Sequence, residues 1–528
     1  MPVFNPVPEH LTEAIESVLR QAYPRWDLCI ADDASTDKAV HEVLRSYAAR
    51  DPRIKIAFRS QQGHICHASN TAIDLAQGDY VALLDHDDIL PEHALLEVAE
   101  ECLRHPDCRL LYSDEDKLDS DGQRFDPYFK SDWNPDLLYA HNFVSHLGIY
   151  RTEDVRAVGG FRPGYEGSQD YDLALRVFER VGIEAIRHIP KILYHWRVHD
   201  RSTSTSGDVK PYAAKAMRRA LADHFKRLVV EAEVLPHLGG AAMRVRYPVP
   251  DPAPLASIII PTRDQPALLR SCLESVLSKT TYRPLEIIIV DNESEKPETR
   301  QFLEAAQRHE AIRVLSQPGP FNFSALCNRA VEAAQGDIVV LLNDDTEVLE
   351  PEWLRELVSH AMRPEVGAVG AKLLYPDGTI QHAGVALGVA GDAGHIHKGE
   401  PGDSLIWSGR IQLIQTMPAV TGACLAVRRT LYRQSGGLDE ADFPVSYNDV
   451  DFCLRLGAMG FQNVYTPHAV LTHREGASRG DDLQDDKKAA RAERERGNLR
   501  ERWKVAIKKD GFVNPNYNAP TERPFLAN

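Results

Sequence analysis

Two short polar motifs, each directly after an apolar run, carry the side-chain types that hold a divalent cation. Asp85–Asp87 (DHD) follows GDYVALL, and Asn343–Asp345 (NDD) follows GDIVVLL. Alternate residues of an extended segment point the same way, so two carboxylates with this spacing can face one ligand. Mg²⁺ and Mn²⁺ prefer carboxylate oxygens, and Mn²⁺ also accepts histidine. A lone motif of this kind is more often a solvated acidic loop, but its recurrence after the same kind of run favours a metal site.

Two histidines lie late in the two halves of the chain and could complete such a site. His195 stands in YHWRVHDRSTS, and His473 stands in LTHREGASRG. A single histidine is more often structural than a metal ligand. For these two residues both interpretations stay open.

Two aspartates, Asp170 and Asp449, are candidates for a general base. A divalent cation stabilises the charge that develops on a departing diphosphate, and a hydroxyl that displaces the diphosphate must give its proton to a nearby group. Each aspartate opens a helical pattern, with YDLALRVF after Asp170 and VDFCLRLG after Asp449. Aspartate also caps helix N-termini, which is the alternative for either residue taken alone. Their equivalent positions relative to the other motifs favour the base.

The chain repeats itself with a period of about 260 residues. The stretch SNTAIDLAQGDYVALLDHDD matches CNRAVEAAQGDIVVLLNDD, GGF matches GGL, and QDYDLALR matches NDVDFCLR, in the same order along the chain. A period of this length indicates a duplicated domain, since solenoid repeats are far shorter.

Short apolar runs alternate with amphipathic helical patterns in each repeat. In the second repeat the predicted strands are Ile258–Pro261, Glu286–Val290, Ile312–Leu315 and Ile338–Leu342, and the predicted helices are Leu268–Leu277 and Ala325–Ala334. This alternation predicts an α/β fold with a mostly parallel sheet covered by helices. Such sheets bind ligands beyond the carboxyl ends of their strands, where the acidic motifs lie.

The repeats also set the predicted domain boundaries. We expect a first domain with its closing helix over residues 1–235, a Pro-rich linker over 236–254, a second domain over 255–480 and a charged helical tail over 481–528. The tail interleaves both signs of charge, which favours a solvated helix. A helix that docks on a partner or on a membrane surface is the alternative.

Composition narrows the class of protein. The 528 residues carry a formal net charge of −16, which argues against a dedicated nucleic-acid binder. The eight cysteines form no CxxC pair, so buried reduced thiols are favoured over disulfides or a zinc site. No apolar run approaches the roughly 18 residues of a membrane span, and the N-terminus does not resemble a signal peptide. We therefore expect a cytoplasmic protein, at most peripheral at the inner face of the cell membrane, whose oligomeric state the sequence leaves open.

Taken together, these motifs resemble glycosyltransferase family 2, twice and over almost the whole chain. The resemblance is carried by the openings MPVFN and IPTRD, the turns DDAS and DNES, the motifs GDYVALLDHDD and GDIVVLLNDD, and the aspartate-bearing helices. It implies two tandem Rossmann-like domains of the GT-A fold. It also implies inverting transfer of a sugar from a UDP-, dTDP- or GDP-linked donor to a glycan or lipid-linked acceptor, with Mg²⁺ or Mn²⁺ as cofactor. Tandem members resemble enzymes of O-antigen or capsular polysaccharide synthesis.

The resemblance further implies a role for each candidate residue. The implied contacts to the nucleotide sugar are Asp32, Asp33, Asp85, Thr262, Asp291 and Asn343. The implied metal contacts are Asp87, His195, Asp345 and His473, and the implied catalytic bases are Asp170 and Asp449.

This chain departs from the family pattern in three places. Nothing precedes Met1-Pro2, so we expect a truncated opening strand with fewer ladder hydrogen bonds; a fragment, a misassigned start and a weakened domain are the explanations left open. Asn343 replaces a carboxylate and contributes no charge to a cation. About 21 more residues separate Asn343 from Asp449 than separate Asp85 from Asp170, and the surplus is expected near Gln381–Ser404. That segment, with three histidines, could shape the acceptor site or act as a lid, and a plain surface insertion is the alternative.

Two other functions compete with glycosyl transfer. A nucleotidyltransferase would need a Gly- and Arg-rich loop after its first strand, and neither PVFNPVPEH nor PTRDQPALL provides one. A non-catalytic nucleotide- or carbohydrate-binding scaffold remains open for one of the two domains, although both retain the candidate base.

Overall fold

The computed structural model describes residues 1–198, 211–406, 408–476, 486–518 and 525–526. The chain divides into two compact units. The first unit comprises Met1–Trp133 and Leu138–Val245, and the second comprises Asn134–Leu137 and Arg246–Asn528. Among the described residues, no helix is both long and apolar enough to cross a membrane.

Strands and helices alternate over the first 246 residues. The strands are β1 (Pro2–Val3), β2 (Leu28–Asp32), β3 (Ile54–Phe58), β4 (Tyr80–Ala82), β5 (Leu110–Leu118), β6 (Arg124–Tyr128), β7 (Gly148–Arg151), β8 (Ile186–Arg197), β9 (Glu233–His237) and β10 (Ala242–Arg246). The helices are α1 (Pro8–Leu19), α2 (Lys38–Arg50), α3 (His64–Leu75), α4 (Ala94–Arg104), α5 (Pro135–Ala140), α6 (Thr152–Ala157), α7 (Gln169–Val181) and α8 (Pro211–Arg227).

The same alternation continues to the C-terminus. The strands are β11 (Ala256–Thr262), β12 (Leu285–Asp291), β13 (Ile312–Ser316), β14 (Ile338–Leu342), β15 (Thr346–Val348), β16 (Val366–Leu374), β17 (Ile380–His382), β18 (Val385–Leu387), β19 (Ala393–His395), β20 (Gln415–Met417), β21 (Cys424–Arg428), β22 (Gln462–His473), β23 (Tyr517–Asn518) and β24 (Phe525–Leu526). The helices are α9 (Pro266–Lys279), α10 (Pro297–Ala306), α11 (Phe323–Ala333), α12 (Trp353–Ala361), α13 (Arg429–Gln434), α14 (Asn448–Ala458), α15 (Asp486–Arg502) and α16 (Lys504–Lys508).

The second unit is built on one large sheet. Its strands follow the order β13-β12-β11-β14-β21-β16-β22-β15, with β17 on β16 and β20 on β22. The strands β13, β12, β11 and β14 pair in parallel, whereas β21 is antiparallel to both β14 and β16. The α/β fold predicted from the sequence is confirmed, with a mixed sheet in place of a mostly parallel one. Buried apolar runs look alike in either strand direction, so the pattern could not give the direction.

The opening strands of the two units differ in length and in pairing. β11 is seven residues long and lies between β12 and β14, where Ile258 pairs with Ile287 on one side and Val340 on the other. β1 is two residues long and, among the strands of the described residues, pairs with β2 alone. The central strands of the first unit are therefore divided between the sheet β1-β2-β3 and a five-stranded sheet of β4, β7, β5, β6 and β8, and β9 and β10 form a further two-stranded sheet. The first unit contains a cavity of about 1270 Å³, lined by residues of both β2 and β4. Its place in the first unit corresponds to that of β11 in the second unit.

An asparagine and a glycine pair recur in both units and explain part of the repeated sequence. The Asn70 side chain accepts a hydrogen bond from the Phe161 N–H and donates to its carbonyl, each at 2.8 Å. Asn328 does the same with Leu438, at 3.0 and 2.8 Å. A Cβ on Gly160 would lie 2.4 Å from the Asn70 Oδ1, and one on Gly437 would lie 2.6 Å from the Asn328 Oδ1. Only glycine leaves room for this contact, and both glycines also have positive φ.

A buried ion pair then fixes the aspartate-bearing helix to the same glycine turn. In the first unit the Arg176 guanidinium bonds the Asp172 carboxylate and the carbonyls of Val158 and Gly160. In the second unit Arg455 bonds Asp451 and the carbonyls of Ser435 and Gly437. The second aspartate of QDYD and NDVD is therefore structural, and it holds the helix that carries the candidate base. Asp172 and Arg176 lie on α7, and Asp451 and Arg455 lie on α14.

The strands and helices predicted for the second repeat are confirmed. All four strands and both helices are present, as β11 to β14, α9 and α11. The segment 236–254, predicted as a linker, includes part of the two-stranded sheet of β9 and β10.

The charged tail is helical, and its helix α15 is not solvated on all sides. Leu499 and Glu495 are fully buried. The Glu495 carboxylate accepts hydrogen bonds from the backbone N–H groups of Val445 and Ser446, just before α14. Trp503, directly after α15, donates from Nε1 to the Asp451 carboxylate at 2.9 Å. Charge interleaving alone could not reveal these few anchoring residues.

Candidate active site

In the second unit the NDD motif and His473 meet at one edge of the sheet. Asn343 follows directly after β14, and antiparallel pairing of β15 with β22 places His473 beside Thr346. The His473 Nε2 lies 3.2 Å from the Asp345 Oδ1 and 3.3 Å from the Asn343 Nδ2. The structure therefore brings together the three side chains that the sequence grouped from residues 130 positions apart.

This group fits a divalent cation. Asp345 and His473 are 4% and 6% exposed, so their polar atoms need partners. Among the described residues, the Asp345 Oδ1 and the His473 Nδ1 are buried without a hydrogen-bond partner. Carboxylate oxygen with imidazole nitrogen is a donor set suited to Mn²⁺, and Asn343 adds an amide that suits a hydroxyl or a hydrate.

The middle residue of the motif, Asp344, has a different role from its neighbours. Its Oδ2 accepts a hydrogen bond from the Thr262 hydroxyl at 2.7 Å, at the end of β11. Burial raises the pKa of Asp344 to about 7, and the Thr262 hydrogen bond opposes that shift. Thr262, predicted to contact the nucleotide sugar, thus ties the opening strand to the motif.

Asp449 lies one residue into α14, within its first turn. Tyr447 is the N-cap and makes no side-chain cap hydrogen bond. The Asp449 Oδ2 accepts from the Gly422 N–H at 2.8 Å, and its Oδ1 accepts from the Val450 N–H at 2.8 Å. The second bond is local to the helix, whereas the first ties the carboxylate to the loop before β21. Asp449 is therefore more than a helix cap.

One loop joins this carboxylate to the metal-type motif. The Gly422 N–H donates to Asp449, and the carbonyl of the next residue, Ala423, accepts from the Asn343 N–H at 3.0 Å. A base and a cation site held by consecutive residues have a fixed separation, which is what an in-line displacement requires.

In the first unit the acidic motif meets a histidine that the sequence did not single out. Ligand atoms of Asp85, Asp88 and His146 all lie within 4.8 Å of one another. His146 stacks on Tyr194 with ring centroids 4.4 Å apart, and its Nδ1 is buried with no hydrogen-bond partner among the described residues. The repeat could not reveal His146, because Ala423 occupies the matching place before β21.

Asp88 is the most deeply buried carboxylate of this group. It is 1% exposed, and it accepts from the Tyr194 hydroxyl at 2.5 Å and the Arg197 N–H at 2.8 Å. Burial raises its pKa well above the usual range, and the charges of Asp85 and Asp87 add to that effect. A cation beside Asp85 would offset this concentration of negative charge.

Asp170 occupies in α7 the position that Asp449 has in α14. Its Oδ2 accepts from the Asn142 side chain at 2.7 Å, so a side-chain amide takes the place of the Gly422 N–H. Burial raises the pKa of Asp170, and the nearby His146 opposes the shift. A carboxyl with a raised pKa is a stronger proton acceptor when ionised, as a general base requires. Asp85 and Asp170 line the same cavity.

His195 is hydrogen-bonded to residues outside the group of Asp85, Asp88 and His146. Its Nδ1 is 2.5 Å from the Asp116 Oδ1, and Asp116 also pairs with Arg124. The backbone of His195 bonds that of Ile89, close to the motif. Asp87 is half-buried, and its carbonyl accepts from the Arg197 side chain at 2.8 Å. Of the first unit's predicted metal contacts, His195 thus has its Nδ1 taken by a carboxylate, and His146 is the histidine close to Asp85.

The aspartates at the ends of β2 and β12 differ in the hydrogen bonds that their carboxylates already make. Both oxygens of Asp33 are bonded, to Arg59 and to the Gly63 N–H. The Asp32 Oδ2 accepts from the Ser35 N–H at 3.3 Å, and its Oδ1 is buried without a partner among the described residues. Asp291, in the second unit, accepts from the Ser294 N–H at 3.2 Å. Asp32 and Asp291 thus stand equivalently in their units, and their contacts to a nucleotide stay a prediction.

Comparison with known proteins supports the relationship that the motifs indicate. A family model for glycosyl transferase family 2 matches residues 1–159 and 257–407. The chain is 48% identical over 522 residues to the uncharacterized protein y4gI of Sinorhizobium fredii, covering 98% of this chain and 57% of that protein. It is 41% identical over 479 residues to the O-antigen biosynthesis protein RfbC of Myxococcus xanthus, covering 90% of this chain and 37% of RfbC. The chain thus spans well under two thirds of each relative.

Among solved structures, the mannosyltransferase PcManGT of Pyrobaculum calidifontis, determined with GDP-Man and Mn²⁺, is 18% identical and matches 59% of this chain and 76% of its own with a TM-score of 0.36. The family model covers more than half of the chain, in two segments that coincide with the two repeats. The chain therefore belongs to glycosyl transferase family 2.

Proposed function

We propose that each unit transfers a sugar from a nucleotide sugar to a hydroxyl of a growing glycan or lipid-linked acceptor. Family membership supports the reaction class. The 41% identity to an O-antigen biosynthesis protein over 90% of this chain supports a bacterial surface polysaccharide as the product. The observation that carries the proposal is the loop of Gly422 and Ala423. The Gly422 N–H bonds Asp449, and the Ala423 carbonyl bonds the Asn343 N–H.

The proposed reaction is a single displacement with inversion. The acceptor oxygen forms a bond to the anomeric carbon, the bond from that carbon to the phosphate oxygen breaks, and the nucleoside diphosphate leaves. Asp449 in the second unit, and Asp170 in the first, takes the proton of the acceptor hydroxyl.

A divalent cation, Mg²⁺ or Mn²⁺, would neutralise the diphosphate. In the second unit Asp345 and His473 would hold it, and Asn343 would bond the donor sugar or ribose. In the first unit Asp85 and Asp87 would correspond to Asn343 and Asp345, and His195 to His473, with His146 as a further imidazole close to Asp85. His195, whose Nδ1 is bonded to Asp116, would contact the cation through Nε2, because a histidine ligand commonly donates its other ring N–H to a carboxylate.

A second candidate function is that only one unit is catalytic and the other binds a nucleotide or carbohydrate. The separate sheets and large cavity of the first unit favour this alternative for that unit. In the second unit, the asparagine in place of a carboxylate reduces the charge available to a cation.

Both proposals are tested by incubating the purified protein with Mn²⁺ and a panel of UDP-, dTDP- and GDP-linked sugars, and by measuring nucleotide release. Release from at least one donor, stimulated by an acceptor glycan, is the expected result. No release from any donor would contradict the proposal of glycosyl transfer.

A further inference from the structure

The segment Gln381–Ser404, which the first repeat lacks, is folded into the second unit. It forms β17, β18 and β19, and β17 pairs with β16 of the large sheet. His382 on β17 is fully buried, whereas His395 at the end of β19 is partly exposed. The segment is therefore not a plain surface insertion.

His382 and His395 share one hydrogen bond between their rings. The two Nδ1 atoms lie 2.8 Å apart, and the rings meet edge to face with centroids 4.9 Å apart. Burial lowers the pKa of both histidines, which favours the neutral form of each ring. Two neutral rings at this distance need one Nδ1 to carry a proton and the other to accept it.

The backbone decides which ring carries that proton. The Thr421 N–H donates to the His382 Nε2 at 3.4 Å, and an amide N–H can only donate. The His382 Nε2 is therefore the unprotonated nitrogen, so its proton is on Nδ1 and is donated to the His395 Nδ1. The proton of His395 must then be on Nε2, where no hydrogen bond to a described residue uses it.

The surroundings of His395 place that donor at the candidate site. After burial, the groups that act on its pKa are the charges of Asp449, Glu475, Lys398 and His473, with Asp449 foremost among them, and Lys398 pairs with Glu475 at 3.4 Å. The neighbouring N–H groups of Thr421 and Gly422 bond His382 and Asp449 respectively. One loop thus sets both the candidate base and the tautomer of His395.

We propose that His395 is a substrate-binding residue of the second unit, which donates from Nε2 to a hydroxyl of the acceptor sugar, and that His382 is the positioning residue that fixes its tautomer. A neutral N–H donor near Asp449, the carboxylate proposed to take the proton of the acceptor, suits the neutral hydroxyl that the acceptor presents there. This inference rests on the proposed function of the second unit.

The tautomers are tested first, without any substrate. In protein labelled with ¹⁵N-histidine, ring nitrogen shifts distinguish the Nδ1–H from the Nε2–H tautomer, and His382→Asn and His395→Gln assign the signals. We expect His382 as the Nδ1–H form and His395 as the Nε2–H form. A His395 ring protonated on Nδ1 would overturn the proposal.

The role in binding is tested with the donor sugar that the panel identifies and with simple methyl glycosides as acceptors. We expect His395→Leu to lower kcat/KM for the acceptor about tenfold, the loss of one hydrogen bond of about 1.4 kcal/mol. His395→Gln should restore most of the loss, because its amide can donate from nearly the same place as Nε2. His382→Leu should reproduce the loss, and His382→Asn, which keeps an N–H towards His395, should restore the activity.

His397→Gln is the matched control. His397 is a buried histidine of the same segment, and the charge that acts on its pKa is that of Arg410. Thermal unfolding of every variant separates loss of fold from loss of binding. An unchanged acceptor kcat/KM in folded His395→Leu would overturn the role of His395. Failure of Asp449→Asn to reduce transfer would instead overturn the proposed function of the unit.

Discussion

Extending the chain by four residues ahead of Met1, with the sequence of Ala256–Ile259, is expected to stabilise the first unit. The register supports this design, because Val3 pairs with Asp32 as Thr262 pairs with Asp291. In the second unit the four residues Ala256–Ile259 pair with both β12 and β14. In the first unit the matching sides of β2 and β4 border the cavity of about 1270 Å³.

The expected gain follows from what the four residues do in the second unit. Ile258 and Ile259 are fully buried there, and burying an isoleucine contributes about 1.5–3 kcal/mol. Each ladder hydrogen bond contributes about 0.5–1.5 kcal/mol, and ordering the backbone costs about 1–2 kcal/mol per residue. We expect a net stabilisation of about 3 kcal/mol, which corresponds to a rise in Tm of roughly 5–10 °C for a unit of this size.

Thermal and urea unfolding of the extended and original proteins measures this gain. The control is an extension of the same length with the sequence Gly-Ser-Asp-Gly, which can neither pack in an apolar cavity nor favour a strand. Equal Tm values for the two extensions, or a lower Tm for the isoleucine extension, would refute the account of the cavity as a place for a strand.

Three further predictions concern the metal, a buried carboxyl and the glycine turn. Excess chelator should stop nucleotide release and Mn²⁺ should restore it, and Asp345→Ala should weaken Mn²⁺-dependent nucleotide binding by calorimetry; full activity in chelator would contradict the cation's role. Burial raises the pKa of Asp510 to about 6, so its protonated form stabilises the fold below about pH 4 and this contribution is lost as the pH rises through about 6. Asp510→Asn should therefore gain about 2 kcal/mol relative to the original protein between pH 4 and pH 8 in urea unfolding, and parallel pH profiles would contradict the shift. Gly437→Ala should cost about 1–3 kcal/mol more than Gly436→Ala, because both have positive φ but only the Gly437 Cβ would meet the Asn328 side chain; equal costs would contradict that contact.

The sequence predicted the parts of this protein that depend on local pattern and on repetition. Apolar runs predicted the central strands, and the repeated motifs predicted Asn343, Asp345 and His473, of which the structure places the first two within 3.3 Å of the His473 Nε2. The recurrence of the motifs in both repeats favoured a functional site over a solvated loop or an ordinary helix cap.

What the sequence could not show depends on contacts between residues distant in the chain. His146 has no counterpart in the other repeat, and only the fold places it near Asp85 and Asp88. The two aspartates of each QDYD-like segment look alike in sequence. Arg176 and Arg455 make the second aspartate structural and leave the first at the site.

The tautomer of His395 could not be predicted from the sequence either. It depends on the amide of Thr421, in a loop 26 residues further along the chain. No periodicity of the sequence carries such information.

The central claim, that each unit holds its own catalytic base, is tested most directly by nucleotide release from Asp170→Asn, Asp449→Asn and the double variant, with the donors that the panel identifies. Removing a general base should slow its own transfer by about 10²–10⁴-fold. We expect each single variant to lose a different transfer, or a different half of an alternating polymerisation, and the double variant to lose both. Wild-type release in both folded single variants would contradict the assignment of the bases.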